Sequence, residues 1–321
     1  MKASTIFAAL ALVASTGALA QFTPATPVRI SSVFPTGSGP DVVARSVAEK
    51  LQHRWSQPVI VEARPGGAGA VAINGMKNAP PTGHDLVVVD VGNMSINPLI
   101  FKKLSYDPNT DLVPVALLYK TAFFVAVSTD SPFKSFKDLA AAARNRSRPL
   151  SYGSNAVGGP IHLGSARLAS AMGAEMMHVP YKETSQLYAA VATGEIDWAY
   201  GSVATAGGLA RANKLRFLAV ADGKRSAGMP DVPTLAEAGG PKGLDALTWV
   251  ALMAPKGTPA AVVADINKAV NEALAQDDIR EKMASFDFAV STGPAQQVAD
   301  LMKADRARYA EVLRQVSVSI D

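Results

Sequence analysis

Short runs of β-branched and other apolar residues alternate along this chain with stretches whose apolar positions recur every three or four residues. This alternation predicts α/β layers with largely parallel strands, because the short runs suit buried strands and the periodic stretches suit amphipathic helices. Predicted strands lie near residues 28–34, 58–63, 85–91, 113–119, 122–128, 150–153, 176–181, 195–200, 215–221 and 246–253. Predicted helices lie near residues 40–54, 67–78, 96–103, 135–145, 160–172, 184–193, 203–213, 259–276, 277–286 and 294–316.

Two places break this alternation and indicate that the chain crosses between two lobes. A strand over 113–118 is followed by a strand over 123–128 with no helix between them, and a Pro/Gly-rich segment over 223–243 precedes the last predicted strand. We therefore expect one lobe of residues 21–121 plus 247–321 and a second lobe of residues 122–246. Such a chain has a cleft between its lobes that can open and close at a hinge.

Residues 1–20 have the pattern of a cleaved secretory signal peptide. Lys2 precedes an apolar run, and Ala18-Leu19-Ala20 stands directly before Gln21. No cysteine follows that run, so a lipid anchor on a new N-terminal cysteine is excluded, and no later stretch is long and apolar enough to insert into a bilayer. The sequence therefore predicts an exported protein.

Composition excludes several classes of function. The formal net charge is +4, and the basic residues are dispersed rather than concentrated on one face with interleaved aromatic residues, which argues against nucleic-acid binding. The chain contains 0 Cys, so disulfides and thiolate chemistry cannot contribute. The 4 His residues fit no metal-ligand spacing, and no dinucleotide motif is complete. We therefore expect neither a metal ion nor a cofactor.

The segment over residues 27–45 carries the clearest chemical signal. A β-branched strand, a turn with Gly37 and Gly39, and a helix that opens on Pro40 follow one another directly. Pro40 suits the first position of a helix, and Asp41 complements the positive end of the helix dipole. The helix N-terminus then points unpaired backbone N–H groups above the turn, where an anion can bind. An ordinary βα turn explains the same pattern about equally well.

Four turns follow predicted strands, and open α/β sheets bind their ligands at this edge. The turns span residues 34–40, 91–95, 154–160 and 181–185. The third turn ends on Pro160 before Ile161 and His162, and it repeats the small residues, the proline and the apolar-striped helix of the first. Two helix N-termini, one from each lobe, should therefore hold a carboxylate from both sides.

Aromatic and histidine side chains near these turns are further candidate contacts. Phe34 is the preferred apolar contact because it lies in the first turn. Trp198, Tyr200 and Trp249 are weaker candidates, because each fits core packing better than ligand contact. His162 is the only histidine that we expect near the cleft, where it should orient a loop or donate to an anion rather than act as a base.

Two classes of function remain open on the residues alone. The preferred one is a non-enzymatic binding protein whose lobes close on an anion. The alternative is an exported enzyme that acts on a small carboxylate, with His162 or Lys182 in proton transfer. Lys182 is interpreted equally well as a positive partner for an acidic ligand or as a solvated side chain.

Several motifs in order along nearly the whole chain point to a known family. They include Phe34-Pro-Thr-Gly-Ser-Gly-Pro-Asp41, Pro58-Val-Ile-Val-Glu-Ala-Arg-Pro-Gly-Gly-Ala-Gly69, His178-Val-Pro-Tyr-Lys182, Asp231-Val-Pro-Thr-Leu-Ala-Glu-Ala-Gly239 and Ala254-Pro-Lys-Gly-Thr-Pro259. Together they resemble the Bug-type solute receptors of tripartite tricarboxylate transporters. The resemblance implies a two-lobed α/β periplasmic binding protein of type II, with Venus-flytrap architecture. It also implies a monomer that presents a small carboxylate to the membrane subunits of the transporter.

In that family, the turns that match residues 34–41 and 154–162 hold a carboxylate, partly through ordered water. The resemblance and the turns together predict as ligand-binding residues Phe34, Thr36, Gly37, Ser38, Gly39, Asp41, Gly92, Asn93, Ser154, Asn155, Ala156, Val157, Gly158, His162, Tyr181, Lys182, Tyr200 and Gly201.

This chain departs from the family pattern in both turns. Thr36, Ser38 and Pro40 stand where relatives often have Pro, Gly and Thr, and Pro40 removes one backbone donor. In the second turn, Ala156, Val157 and Pro160 replace a more polar pattern that commonly ends in Gly-Thr-Ser in relatives. Outside the turns, Gly201 stands where many relatives carry an acidic residue. These departures favour an amine-free carboxylate with an apolar or aromatic body, and a dicarboxylate is one such candidate.

Overall fold

A computed structural model describes residues 22–145 and 149–316 of the chain. The predicted signal peptide over residues 1–20 lies outside the described residues. Within the described part, no helix is long and apolar enough to cross a membrane.

Eleven strands and ten α-helices alternate along the described residues. Strands β1 to β11 are Val28–Ser32, Val59–Ala63, Asp85–Asp90, Leu112–Ala122, Phe124–Ser128, Leu150–Ser154, Met176–Pro180, Trp198–Gly201, Leu215–Val220, Leu247–Pro255 and Ala289–Val290. Helices α1 to α10 are Gly39–Trp55, Ala70–Met76, Asn97–Ile100, Phe136–Asn145, Pro160–Ala171, Thr184–Thr193, Val203–Arg211, Ala260–Leu274, Asp277–Ser285 and Gln296–Gln315. A short 3-10 helix, Gly67–Gly69, precedes α2, and a π-helix, Gly92–Ile96, precedes α3.

The predicted strands and helices are all present, with shifts at their ends. Two details differ from the prediction. The segment over 91–95, expected as a turn, is largely the π-helix, and the two-residue strand β11 carried no periodic signal by which to recognise it. Such short or rare elements depend on the tertiary contacts around them more than on local pattern.

The strands form two sheets, and both sheets are mixed. The first has the order β11-β4-β10-β3-β1-β2, with β10 antiparallel to β3 and β4. The second has the order β7-β6-β8-β5-β9, with β5 antiparallel to β8 and β9. Most strands of each sheet still run in one direction, as predicted: β1 to β4 in the first sheet and β6 to β9 in the second. Strands β5 and β10 run against their neighbours because each is the first strand after a crossing and enters its sheet from the hinge.

The two crossings lie side by side. Strand β4 ends at Ala122 and β5 begins at Phe124, so the chain passes from the first sheet to the second through Phe123 alone. Phe123 N–H donates to the carbonyl of Ala246 at 3.0 Å, and Leu247 lies opposite Ala122 in the ladder between β10 and β4. The change of sheet at these points supports the expected lobe boundaries, which stay a prediction.

Both faces of each sheet are covered, because the central strands direct apolar side chains to both faces. Leu86 and Val88 of β3 pack with α1 and α8, whereas Val87 and Val89 pack on the opposite face with α10. In the second sheet, Phe124 packs on the side of α6 and α7, and its neighbours on β5 pack on the side of α5. This arrangement gives two three-layered lobes joined at the crossing strands.

A buried hydrogen bond fixes the C-terminal helix on the first sheet. Trp249 Nε1–H on β10 donates to Asp305 Oδ2 on α10 at 2.6 Å, and Arg308 forms an ion pair with the same carboxylate. The burial of this tryptophan and its carboxylate partner explains why Trp249 belongs to the core rather than to a ligand surface.

We expect Trp249→Phe to lower the free energy of unfolding by about 2–4 kcal/mol, because it removes buried ring atoms and one charge-assisted hydrogen bond. The measurement is urea unfolding followed by circular dichroism. Trp55→Phe is the matched control, since it loses the same ring atoms without the bond to Asp305. Equal losses in the two variants would show that the bond does not stabilise the fold.

Candidate functional site

The pairing of the strands brings to the hinge the two turns that we expect to hold the carboxylate. We call these turns, over residues 34–40 and 154–160, the pincer turns. Strands β1, β3 and β4 point their carboxyl ends to the edge of the first sheet where the chain crosses at Phe123. In the second sheet, Gly201 at the end of β8 lies opposite Phe124 at the start of β5. The carboxyl ends of β6 and β8 therefore meet the same crossing. The turns over 34–40 and 154–160, which follow β1 and β6, lie at these two edges.

The lobes touch across this cleft at the start of α1. Gly39 lies so close to Phe288 that a Cβ on the glycine would stand 2.8 Å from the phenylalanine Cζ. The same Cβ would stand 3.6 Å from the Cβ of Ala204, which belongs to the first turn of α7 in the other lobe. Only glycine permits this close approach of the α1 backbone.

The first turn is held by its own polar groups. Gly37 has φ +80°, a conformation that favours glycine, and its N–H donates to Asp41 Oδ2 at 2.9 Å. Arg45 Nε–H donates to the same oxygen at 2.9 Å, and Ser38 Oγ–H donates to the carbonyl of Pro35 at 2.7 Å. The buried Asp41 carboxylate therefore orders the turn, and the Arg45 guanidinium neutralises its charge.

Helix α1 begins without a side-chain cap. Ser38 occupies the N-cap position, but its hydroxyl bonds backwards to Pro35 rather than to the helix. The carbonyl of Ser38 takes the N–H of Val42, so the N–H groups of Gly39 and Asp41 remain ahead of the first intrahelical carbonyl. Donors of this kind suit an anion, because the helix dipole favours negative charge at this end of the helix.

The second turn resembles the first, because a glycine N–H bonds to a side chain four residues later and the helix that follows has no side-chain cap. Helix α5 begins at Pro160 after Gly159, again with no side-chain cap. Gly158 N–H donates to His162 Nδ1 at 2.9 Å, and Ser154 Oγ–H donates to the carbonyl of Ala156 at 3.1 Å. These bonds fix the turn and leave the first N–H groups of α5 without intrahelical acceptors.

Helix α7 differs from α1 and α5, because side chains cap its N-terminus. Its N-cap Ser202 and Thr205 form a reciprocal capping box, with Ser202 N–H donating to Thr205 Oγ1 at 3.1 Å. The hydroxyl of Tyr188 lies 3.1 Å from the same Thr205 oxygen. Because its own side chains satisfy its first turn, α7 contributes contact across the cleft rather than free donors.

A stacked histidine pair supports the second turn. The rings of His162 and His178 are parallel within 15°, with centroids 3.7 Å apart, and Tyr152 stacks beside both. His178 Nε2 lies 2.8 Å from Ser154 Oγ. The expectation that only His162 lies near the cleft was therefore wrong. The parallel pairing of β6 with β7, which sets His178 beside Tyr152, brings the second histidine there.

Burial, together with the neighbouring His178, lowers the pKa of His162 to about 4. Burial also lowers the pKa of His178. Both imidazoles are consequently neutral near pH 7, and Nδ1 of His162 accepts the Gly158 N–H bond only in that form. The neutral pair acts as a packed support for the turn, and His162 has no charge to offer an anion.

Gly92 and Asn93 lie beneath the surface of the site rather than on it. Asn93 Nδ2–H donates to the carbonyl of Ala68 at 2.8 Å, and its N–H donates to Asp90 Oδ1 at 3.0 Å. A Cβ on Gly69 would stand 2.2 Å from this amide nitrogen. These hydrogen bonds of Asn93 connect the loop after β2 to the end of β3. Asn93 therefore supports the backbone beside the first turn.

The other predicted residues fall into two groups. Thr36, Asn155, Ala156, Val157 and Lys182 are exposed, and Val157 exposes 46% of its surface at the tip of the second turn. Phe34 is half-buried against the core of the first lobe. Tyr181 is also half-buried, and its hydroxyl donates to Glu195 at 3.0 Å.

Tyr200, predicted as a ligand contact, is fully buried in the core of the second lobe. Its ring packs edge-on against Trp198, and it lies beside Gly164 of α5. Gly201 is also enclosed, since a Cβ there would stand 2.8 Å from that of Ala206. Both residues pack between β8 and the helices that cover it. The alternation of apolar residues in the sequence could not distinguish such a packing role from contact with a ligand.

Within residues 22–145 and 149–316, no group of three or more His, Asp or Glu side chains is placed to hold a metal ion. The described site therefore offers backbone N–H groups, hydroxyls and apolar side chains. This set of groups is suited to an anion with an apolar body.

A family model described as "Tripartite tricarboxylate transporter family receptor" matches residues 43–318. The chain belongs to this receptor family. A UPF0065 protein of Pseudomonas sp. (strain P51) is 32% identical over 290 residues, which cover 90% of this chain and 86% of that protein.

Two solved structures resemble the receptor closely in fold. A Rhodopseudomonas palustris protein solved with adipate is 28% identical, with a TM-score of 0.84 and coverage of 92% of this chain and 99% of its own. MatC from the same organism, solved with bound malate, is 28% identical, with a TM-score of 0.79 and coverage of 90% and 99%. The predicted family and two-lobed binding-protein fold are confirmed.

The histidine pair gives the receptor a definite dependence of stability on pH. The pKa of His162 is lowered from 6.5 to about 4 in the folded state, so the unfolded chain binds more protons between these values. We expect the free energy of unfolding to be constant above pH 7 and to fall by about 3 kcal/mol as the pH drops to 4. Urea unfolding across this range measures the effect.

His162→Gln should flatten this slope, whereas His53→Gln, which changes an exposed histidine on α1, should keep it. A wild-type stability that does not change between pH 7 and pH 4.5 would contradict the neutral, buried state of the pair.

Proposed function

We propose that this receptor captures a small, amine-free carboxylate in the cleft between its lobes and passes it unchanged to the membrane subunits of a tripartite tricarboxylate transporter. The observation that carries the proposal is the pair of uncapped helix starts, α1 in one lobe and α5 in the other, at the sheet edges that meet at the hinge. Each presents backbone donors to the same cleft.

The two helix starts supply part of the affinity. A helix N-terminus contributes about 0.3–1 kcal/mol to an anion at an exposed site and up to about 2 kcal/mol when it is partly buried. Micromolar affinity requires about 8 kcal/mol, so direct and water-mediated hydrogen bonds and apolar contacts must supply the rest. Exposed Thr36 and Asn155 offer polar groups for this purpose, and Phe34 and Val157 offer apolar surface.

The set of residues that we propose as ligand contacts is smaller than the set expected from the sequence. They exclude Tyr200 and Gly201, which are enclosed in the core, and assign Gly92, Asn93, Ser154 and His162 to the support of the turns. The residues that we place against the ligand are Phe34, Thr36, Gly37, Ser38, Gly39, Asp41 through its N–H, Asn155, Ala156, Val157 and Gly158.

The charges around the turns support an amine-free ligand. Asp41 Oδ2 accepts hydrogen bonds from Gly37 N–H and Arg45, and the Arg45 guanidinium neutralises the charge of this carboxylate, which weakens its attraction for an ammonium group. Burial raises the pKa of Asp90, which disfavours its charged form. Adipate and malate, the ligands of the two solved relatives, are dicarboxylates without an amine.

Binding without turnover fits the surroundings of both residues considered for proton transfer. His162 Nδ1 is occupied by Gly158 N–H, and its lowered pKa makes it a poor base near pH 7. Lys182 is exposed at the end of β7. The predicted signal peptide and the family together support a periplasmic receptor, and we propose that it acts as a monomer.

Calorimetric titration tests the ligand class. We expect adipate, malate or terephthalate to bind with micromolar affinity and amino acids to show no binding, because Arg45 already neutralises the Asp41 carboxylate of the first turn. Ligand recovered after prolonged incubation should be chemically intact. Binding of amino acids alone would contradict the ligand class, and turnover of the ligand would contradict the receptor role.

Substitution at the tip of the second turn tests the location of the site. We expect Val157→Asp to weaken the affinity for the tightest-binding dicarboxylate at least about tenfold, because a carboxylate near the bound anion repels it. Val157→Asn is the matched control, since it has nearly the same shape without the charge. Equal affinities of the two variants would place the anion elsewhere.

A further inference from the structure

The lobes are also joined by a polar contact outside the two pincer turns. Asp287 lies between α9 and β11, which belong to the first lobe. Its Oδ1 accepts a hydrogen bond from Ser226 Oγ–H at 2.5 Å and another from Gly228 N–H at 3.2 Å. Ser226 and Gly228 lie on the segment after β9, which returns to the second sheet through the bridge between Thr234 and Val220.

The local backbone is shaped for this contact. Asp287 has φ +56°, a conformation that Asp and Asn adopt more readily than most residues. A Cβ on Gly228 would stand 2.8 Å from Asp287 Oδ1, so the glycine allows the backbone to approach the carboxylate. Thr121 Oγ1–H donates to the carbonyl of Asp287 at 3.3 Å and anchors the residue beside the hinge.

The next residue connects this contact to the anion site. Phe288 stacks on Tyr119 of β4 with centroids 3.9 Å apart and planes within 8°. Its other neighbours are Gly39 at the start of α1 and the hydrophobic core that Ala204 of the second lobe packs against. Asp287 and Phe288 therefore link the second lobe, the hinge strand and the helix start that the ligand should contact.

We infer that Asp287 is a positioning residue that holds the two lobes in contact through Ser226 and Gly228 and so favours the closed arrangement of the receptor. In this arrangement Ala204 of α7 already packs at the start of α1. A hinge motion that moves the segment with Ser226 and Gly228 away from Asp287 lengthens or breaks these bonds. Removing the bonds therefore shifts the population toward open states.

Distance measurement between the lobes tests the inference without a ligand. The natural sequence has 0 Cys, so spin labels attach only at Glu49→Cys on α1 and Gln186→Cys on α6. Electron–electron double resonance then reports the distribution of distances between lobes. We expect Asp287→Gly, which tolerates the positive φ of this position and removes the acceptor oxygen, to lower the ratio of closed to open molecules about fivefold.

Ser226→Ala should shift the distribution in the same direction, and the double variant should shift it less than the product of the single effects, because both changes remove one interaction. Glu281→Gln is the control, since it removes a carboxylate from an exposed position on α9. Its distribution should match the wild type, and all variants should keep the wild-type melting temperature within about 3 °C.

An unchanged distance distribution in Asp287→Gly would overturn the inference, and so would fully independent effects in the double variant. The measurement needs no bound carboxylate. Its outcome is therefore separate from that of the titrations, which test the proposed ligand class.

Discussion

The pairing of the two crossing segments is the constraint on which the rest of this receptor depends. Phe123 and Ala246 share a backbone hydrogen bond, and Leu247 lies opposite Ala122, so the lobes are joined by two adjacent strands. Strands that cross in this way enter their sheets antiparallel to their neighbours. The carboxyl ends of the parallel strands in both sheets consequently meet the hinge, and the turns that follow them border one cleft.

Position at the hinge, rather than the absence of a cap, distinguishes the helix starts that we propose for ligand binding, because α2, α6, α8, α9 and α10 also begin without a side-chain cap. Helices α1 and α5 carry proline in their first turn at the two sheet edges that meet at the hinge, whereas α7 caps itself with Ser202 and Thr205. At each of the two pincer turns, one side chain accepts a backbone hydrogen bond. Asp41 accepts from Gly37 N–H, and His162 accepts from Gly158 N–H. Each turn is therefore rigid, while its helix keeps free donors, which lowers the ordering cost of binding an anion.

The same segments that shape the site also connect the lobes. Phe288 packs beneath the start of α1, and Asp287 beside it bonds to the segment after β9. Neighbouring residues belong to the proposed anion site and to the proposed contact between the lobes. If both proposals hold, a ligand that orders the first turn also shifts the balance between open and closed states, and closure and binding are linked through this short segment.

The sequence by itself determined the two lobes, nearly all of the helices and strands, the family, and the two glycine- and proline-bearing turns, because these follow from local periodicity and backbone preference. Tertiary structure alone decided which side chains reach the cleft. Tyr200 and Trp249 alternate like other strand residues, and only the covering helices make them core. His178, Ala204 and Asp287 lie far in sequence from the residues they contact, so strand order and lobe packing had to bring them there.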